Sequence, residues 1–326
     1  MEPNRQNTTR SNAFSVAFLS LVLCLIAVIV WRAQDITDWW VLRNYQPSTT
    51  VRSLADAASM NDEGRKLFYV NKPQIISGQA FSSQCDFGAE KTIVLGCYIA
   101  EDGGIYLYDV TDPRLDGVEQ TTAAHEMLHA AYRRLSSSEK KRIDDMLLVY
   151  YASLKDERLL ATIDSYKKTE PSELTNEMHS IFATEIANLT PDLEEYYRTY
   201  FDDRMAVVRL SEKYQHEFTS RREQAAAYDE ELSVLKFEID RSESTLKSME
   251  NELSARYKRL QSLRTSGDAA YYNSQVDDYN YAVEQYNTIL NAVKSQISTY
   301  NEIVRKRNAL ALEDRELTEA LSNKPL

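Results

Sequence analysis

Helix-breaking residues are concentrated at the front of this 326-residue chain. No proline lies between Pro191 and Pro325, and of the eight glycines only Gly267 follows Gly117. Proline and glycine are the residues that most strongly interrupt helices and strands. Their distribution therefore predicts a front region that mixes helices, strands and turns, followed by a long helical remainder.

The helical remainder contains two stretches with coiled-coil spacing. Mostly apolar residues recur at alternating intervals of three and four over 218–263 and again over 272–304. This spacing places them along one stripe of each helix, and a break that contains Gly267 lies between the two stretches. We predict a coiled-coil helical hairpin over 206–326, packed within one chain. A continuous rod that joins separate chains, by self-association or with a coiled-coil partner, is the alternative.

An unbroken run of 18 uncharged residues, Phe14–Trp31, lies near the N-terminus. This length is at the lower limit for a helix that crosses a bilayer. A cleaved signal peptide is the alternative, but the end of the run lacks the small residues of a cleavage site. We therefore predict a retained transmembrane anchor, preceded by a cytoplasmic tail at 1–13 and followed by a tether at 32–48.

The orientation of this anchor depends on two further features. The tail before the anchor is short and the large body follows it, which is the usual layout of a signal anchor. Cys85 and Cys97 lie in one short segment and can close a disulfide, a bond that persists in oxidising compartments. Two unpaired buried thiols are the alternative. We predict a single-pass protein of the cell membrane with its body outside the cytoplasm.

The charge of the chain limits its partners. The formal net charge is −12, with 38 Lys and Arg residues against 50 Asp and Glu residues. Binding to phosphate backbones requires clustered basic side chains. Nucleic acid is therefore excluded as the main partner.

The clearest β signal lies between residues 92 and 110. The stretches 92–100 and 105–110 are rich in β-branched and aromatic residues and flank an acidic Gly-Gly turn, a pattern that predicts a hairpin. A short helix over 50–60 is predicted to end at Gly64, and residues 66–76 are also predicted to be extended. A helix follows from about 119 to 135. We interpret 49–205 as a small α+β domain.

The sequence His-Glu-Met-Leu-His at 125–129 is the strongest indication of chemistry. On a helix, residues four apart lie on the same face, so His125 and His129 can bind one Zn²⁺ ion. Glu126 then lies beside the metal, where it can take a proton from a zinc-bound water. A solvated helix with incidental histidines is the alternative interpretation.

This motif, preceded closely by a β-strand, resembles that of the zincin metallopeptidases. The resemblance implies a zincin-like α+β catalytic domain that hydrolyses peptide bonds in a protein or peptide substrate. The H-x-x-G-x-x-H extension of metzincins is absent, so a later helix must supply the third ligand, as in gluzincins. The strand at 105–110 is then a candidate for binding an extended substrate by strand addition, and core positions for its Tyr106 and Tyr108 are the alternative.

Glu177 is the preferred third ligand. The pair Asn176-Glu177 resembles the start of the third-ligand helix of gluzincins, although Ile181 stands where those proteins often carry an acidic residue. Glu185 and His179 are the alternative ligands, and a solvated helix carboxylate is the alternative interpretation of Glu177. The hydrogen-bond partner of a ligating histidine is left unassigned, with Glu173 one turn before Glu177.

Other site residues are weaker candidates. His179 and Tyr132 are candidates for stabilising the transition state, although packing and surface roles are alternatives for both. The rival function is a non-catalytic, membrane-tethered coiled-coil scaffold with a structural zinc domain. The intact Glu126 favours the peptidase, because a purely structural zinc site does not need this residue.

Overall fold

The computed structural model describes residues 18–24, 26, 32–85, 94–100, 104–265 and 269–322. The named helices are α1 (Ala33–Asn44), α2 (Thr49–Ala57), α3 (Asp62–Val70), α4 (Gly78–Gln84), α5 (Val118–Arg133), α6 (Ser137–Tyr151), α7 (Glu157–Thr169), α8 (Leu174–Glu185), α9 (Pro191–Tyr197), α10 (Arg204–Leu263) and α11 (Ala269–Leu321). The strands are β1 (Gln74–Ile76), β2 (Gly96–Ile99) and β3 (Gly104–Tyr108), and a 3-10 turn covers Pro113–Leu115.

The predicted zincin-like α+β fold is wrong. Of the described residues, 79% are helical. Strands of three, four and five residues form the one sheet that these residues contain. The physical reason lies in the spacing of the apolar residues. β-Branched and aromatic residues are dense between 92 and 110, but elsewhere in 49–205 the buried positions recur at helical intervals. The front region is therefore a set of helices with a small sheet on one side.

The predicted transmembrane anchor and the cell-membrane localisation are also wrong. Among the described residues, no helix is both long enough and apolar enough to cross a bilayer. Of the run Phe14–Trp31, residues 18–24 and 26 are helical, and the others, with the predicted tail at 1–13, lie outside the described residues. An apolar run of marginal length thus predicted a span that none of the described helices forms.

The predicted tether at 32–48 is largely helix α1. Its Asp38 is buried and accepts two hydrogen bonds from Arg134, at 2.7 and 3.1 Å. A buried carboxylate is costly unless its charge is neutralised, and here the Arg134 guanidinium neutralises it. Arg134 directly follows α5. Helix α1 is therefore docked beside the end of α5.

Residues 66–76 begin as a helix rather than as an extended segment. The Asn61 side chain accepts hydrogen bonds from two N–H groups in the first turn of α3, which stabilises the start of a helix. Gly64 lies inside α3, next to the backbone of Tyr200. A glycine is required at this position because a Cβ atom there would overlap the carbonyl oxygen of Tyr200. The glycine permits a close backbone approach and does not end the helix.

The predicted hairpin is confirmed, but its place in the sheet differs from the expectation. Strand β3 pairs antiparallel with β2, with Gly96 opposite Leu107, and parallel with β1, with Gln74 opposite Tyr106. The strand order β1-β3-β2 makes β3 the central strand. Strand addition at 105–110 is therefore wrong, because both edges of β3 are already paired.

The two faces of this sheet pack against different partners. Ile105 and Leu107 join the main hydrophobic core, which also includes the buried side of α5. Cys97 packs on the opposite face with Phe81 and Cys85. The predicted disulfide between Cys85 and Cys97 is confirmed. The sheet thus lies against α5 on one side and is cross-linked to α4 on the other.

The chain divides into two compact units, and the second is Gln215–Ala320. Within it, successive residues of α10 contact residues that lie progressively earlier in α11, so the two helices run antiparallel. The polar contacts that show this pairing are Arg221 with Glu313, Asp229 with Arg307, Glu238 with Gln296, and Arg256 with the carbonyl group of Asp278. A short apolar cluster includes Ile239, Leu246 and Val293.

Candidate metal centre

Helix α5 carries two histidines on one side and core residues on the other. Met127 and Leu128 are fully buried, and burial of each such side chain stabilises the fold by roughly 1.5–3 kcal/mol. Residues four apart share a helix face, so His125 and His129 lie together, with ring centroids 4.7 Å apart. The predicted motif helix with two neighbouring histidines is confirmed.

The start of α5 is held by its glycine cap. Gly117 adopts a left-handed backbone conformation with φ of 112°, which favours glycine. A Cβ atom there would lie 2.5 Å from the carbonyl oxygen of Leu210, and the Gly117 N–H donates to Gln120 Oε1 at 3.1 Å. This close contact sets the position of α5 relative to the first turns of α10.

Glu177 on helix α8 faces both histidines. Its Oε2 lies 3.6 Å from His125 Nε2, and its Oε1 lies 3.5 Å from His129 Nε2. One ligand atom from each of the three residues lies within 4.8 Å of the other two. A tetrahedral zinc ion with bonds of about 2.0–2.1 Å needs donor atoms about 3.3 Å apart. The two Glu177–histidine distances are close to this value, so the three side chains form a candidate site for a metal ion.

The Glu177 carboxylate also has an unused acceptor. Among the described residues, Oε2 is buried and has no hydrogen-bond partner, an arrangement that is costly unless another group neutralises the oxygen. Burial raises the pKa of Glu177, but the two histidines and the Tyr166 hydroxyl outweigh it and hold the pKa below its ordinary value. The side chain therefore offers a negatively charged oxygen that lacks a full set of hydrogen bonds. A cation requires a ligand atom of this kind.

Asn176 defines the tautomer of His129. The Asn176 side-chain amide donates from Nδ2 to Glu173 Oε2 at 3.1 Å, so its Oδ1 is the atom that faces His129. That oxygen lies 3.0 Å from His129 Nδ1, and because it only accepts, Nδ1 must carry the proton. The lone pair of His129 is therefore on Nε2, which points toward Glu177. Metal-binding histidines are commonly oriented by such a hydrogen bond.

Glu126 is buried beside the three candidate ligands, with 5% of its surface exposed. Burial, opposed by the nearby His129 and reinforced by Glu177, raises the pKa of Glu126 to about 7. The backbone N–H of Tyr98 in β2 donates to the Glu126 carboxylate. Glu126 is thus held between the sheet and the candidate metal centre.

Two adjoining cavities, of about 240 and 180 Å³, open on this site. The first extends toward the N-terminal end of α8 and the second toward its C-terminal end. The residues that line both cavities are Val94, Gly96, His125, Glu126 and Tyr166. We call this continuous space the groove. It passes over the candidate metal centre between β2 and α7.

The other candidates are hydrogen-bonded to residues outside the group of His125, His129 and Glu177. His179 is fully buried; its Nε2 lies 2.8 Å from the Tyr196 hydroxyl, and burial lowers its pKa to about 3. The Tyr132 hydroxyl donates to Asp144 at 2.6 Å, away from the groove. Glu185 lines the second cavity and accepts from Arg158 at 2.7 Å.

Three residues of the site were missed or left unassigned by sequence reasoning. Asn176 was recognised as part of a pair but not as the partner of His129, although its position beside Glu177 was a usable signal. Tyr166 lies on α7 and Gly96 on β2, and both reach the groove only through packing. No local pattern in the sequence distinguishes either of them.

No protein-family model, curated protein or solved structure is significantly similar to this chain. The motif and the geometry of the candidate metal centre therefore provide the grounds on which a function is argued. Three side chains from two helices converge here, with a buried carboxylate and a groove beside them. A cluster of this kind, partly buried and beside a groove, is a candidate functional site.

Proposed function

We propose that this protein is a zinc-dependent peptidase. In this proposal, His125, His129 and Glu177 bind the ion, and Glu126 is the general base. The observation that carries the proposal is the approach of Glu177 Oε1 and Oε2 to the two histidine Nε2 atoms, at 3.5 and 3.6 Å. A zinc ion with three protein ligands keeps one position for a water molecule, which it makes nucleophilic near neutral pH.

The residues of the chain have separate tasks in this reaction. The Glu126 carboxylate takes a proton from the attacking water and passes it to the amine that leaves the cleaved bond. Asn176 keeps the proton of His129 on Nδ1, so that Nε2 remains available as a donor atom. The burial of Glu126 in the wall of the groove keeps its carboxylate largely out of bulk water, which strengthens electrostatic interactions with it.

An extended peptide fits the groove along the outer edge of β2. Hydrogen bonding alternates along an antiparallel pair, and the Tyr108 N–H donates to the Leu95 carbonyl group at 2.8 Å. By this alternation, the peptide groups of Gly96 and Tyr98 point away from β3 and toward the groove. The Gly96 peptide group is thus placed to form backbone hydrogen bonds with a substrate.

The test combines zinc analysis with peptide cleavage. The whole chain is purified in the presence of zinc, its metal content is measured, and cleavage products of a diverse peptide library are identified by mass spectrometry. Glu126→Gln is expected to keep zinc and to lose at least about 100-fold in turnover, because the general base is removed. Glu177→Ala is expected to lose most of its zinc affinity.

Glu185→Ala is the matched control for zinc binding. It removes another carboxylate from the same helix, and that carboxylate bonds to Arg158 rather than facing the histidines. Its zinc content should equal that of the parent protein. A parent protein that binds no zinc would refute the proposal. A protein that binds zinc at these residues and cleaves no peptide would favour a structural zinc domain instead.

A further inference from the structure

Strand β2 lies close against helix α5 at Gly96. A Cβ atom added to Gly96 would lie 2.5 Å from the Thr122 methyl group and 2.9 Å from both Cγ and Oε1 of Glu126. All three distances are below those of ordinary carbon contacts. The hydrogen atom of glycine is therefore what allows the strand to lie this close to the helix.

The closeness of β2 has a direct consequence for Glu126. Tyr98 is two residues beyond Gly96. Its N–H lies on the outer side of the hairpin, because the positions whose peptide groups hydrogen-bond to β3 are Leu95, Cys97 and Ile99. This N–H donates to the Glu126 carboxylate. A strand displaced outward from α5 would carry the donor away from the carboxylate.

We propose that Gly96 is a positioning residue for Glu126. Its missing side chain lets β2 lie against α5, so that the Tyr98 N–H holds the Glu126 carboxylate beside His125, His129 and Glu177. The catalytic consequence of this role depends on the proposed peptidase function. The hydrogen bond itself does not, so the two proposals can fail separately.

Glu126 is the neighbour that must move when a side chain is added. Thr122 is β-branched and has few rotamers within a helix, whereas the Glu126 side chain has two further rotatable bonds beyond Cβ. A methyl group at position 96 therefore displaces the Glu126 carboxylate or pushes β2 outward. Either movement breaks the hydrogen bond from Tyr98 and leaves the three candidate ligands in place.

The first test uses NMR to measure the rate of hydrogen exchange at the Tyr98 amide, in the whole chain purified in the presence of zinc. Gly96→Ala is made in a Thr122→Ala background, which removes the closest contact and protects folding. We expect exchange at Tyr98 to accelerate about 10-fold or more, as it should in Glu126→Ala. The Cys97 and Ile99 amides, which pair with β3, serve as internal controls. Unchanged exchange at Tyr98 would overturn the proposal, whether or not the protein cleaves peptides.

The second test is a double-mutant cycle on turnover and zinc binding. In the Thr122→Ala background, Gly96→Ala should lower kcat about 100-fold, with KM and zinc affinity within about threefold, because a misplaced base impairs the chemical step. Combined with Glu126→Gln, it should add no further loss, since both changes remove one function. Multiplied losses, or a loss of zinc in Gly96→Ala, would show a general structural role and overturn the proposal. If the parent enzyme cleaves nothing, the proposed function fails and the exchange result alone decides the role of Gly96.

Discussion

Replacement of Asn176 tests how the candidate metal centre is organised. Asn176→Leu keeps a similar volume at a site that is 8% exposed, but it removes the acceptor for His129 Nδ1 and the donor to Glu173. A net hydrogen bond contributes about 0.5–1.5 kcal/mol. The bond to His129 also keeps the lone pair of this ring on Nε2. We therefore expect zinc affinity to fall about 10–100-fold, which corresponds to about 1.4–2.7 kcal/mol.

The assay is a competition between the protein and a zinc chelator of known affinity, at one pH and one ionic strength. Asn176→Asp retains an acceptor for His129 and should recover most of the lost affinity, although its carboxylate faces Glu173. Ser180→Ala is the matched control, because the Ser180 hydroxyl lies 3.4 Å from the same His129 nitrogen and contributes little at that distance. Zinc affinity of Asn176→Leu within threefold of the parent would refute the account of the His129 tautomer.

Three further predictions concern stability, measured by urea unfolding of the purified chain. Replacement of Cys85 and Cys97 by serine should lower the free energy of unfolding by about 3 kcal/mol, because the bond closes a short loop; an unchanged unfolding midpoint would contradict this. Arg204→Met should cost about 3–5 kcal/mol, because the buried guanidinium bonds carbonyl groups at the end of α8 and the Glu194 carboxylate. Asp229→Asn should change stability by less than about 1 kcal/mol, since its pair with Arg307 is exposed; a larger loss would contradict that estimate.

Local periodicity explains which structural predictions succeeded. Two histidines four apart share a face of any helix, so the placement of His125 beside His129 required no knowledge of the rest of the fold. The strands of the hairpin around 101–104 are adjacent in the chain and rich in β-formers, and β2 pairs with β3 as predicted. Such predictions depend on neighbours in sequence, whose geometry the backbone largely determines.

Predictions failed where a residue type or a local pattern is compatible with more than one structure. Glycine often ends helices, but Gly64 lies within α3. There it allows the backbone of Tyr200 to pass directly beside the helix. An uncharged run of 18 residues is compatible with a bilayer span, yet no described helix meets the length and apolarity that a span requires. In both cases the local pattern permitted two structures, and it contained no information to choose between them.

The amino-acid sequence by itself determined the motif helix, the hairpin and the helical character of the last third of the chain, because each depends on spacing within one segment. The tertiary structure alone decided that β3 is central, that Asn176 orients His129, and that Gly96 and Tyr166 line the groove. These features depend on contacts between segments far apart in the chain. The physical reason is that the sequence of a segment determines which of its side chains share a face of the helix or strand. The neighbours of a side chain from other segments are determined by how those faces pack together.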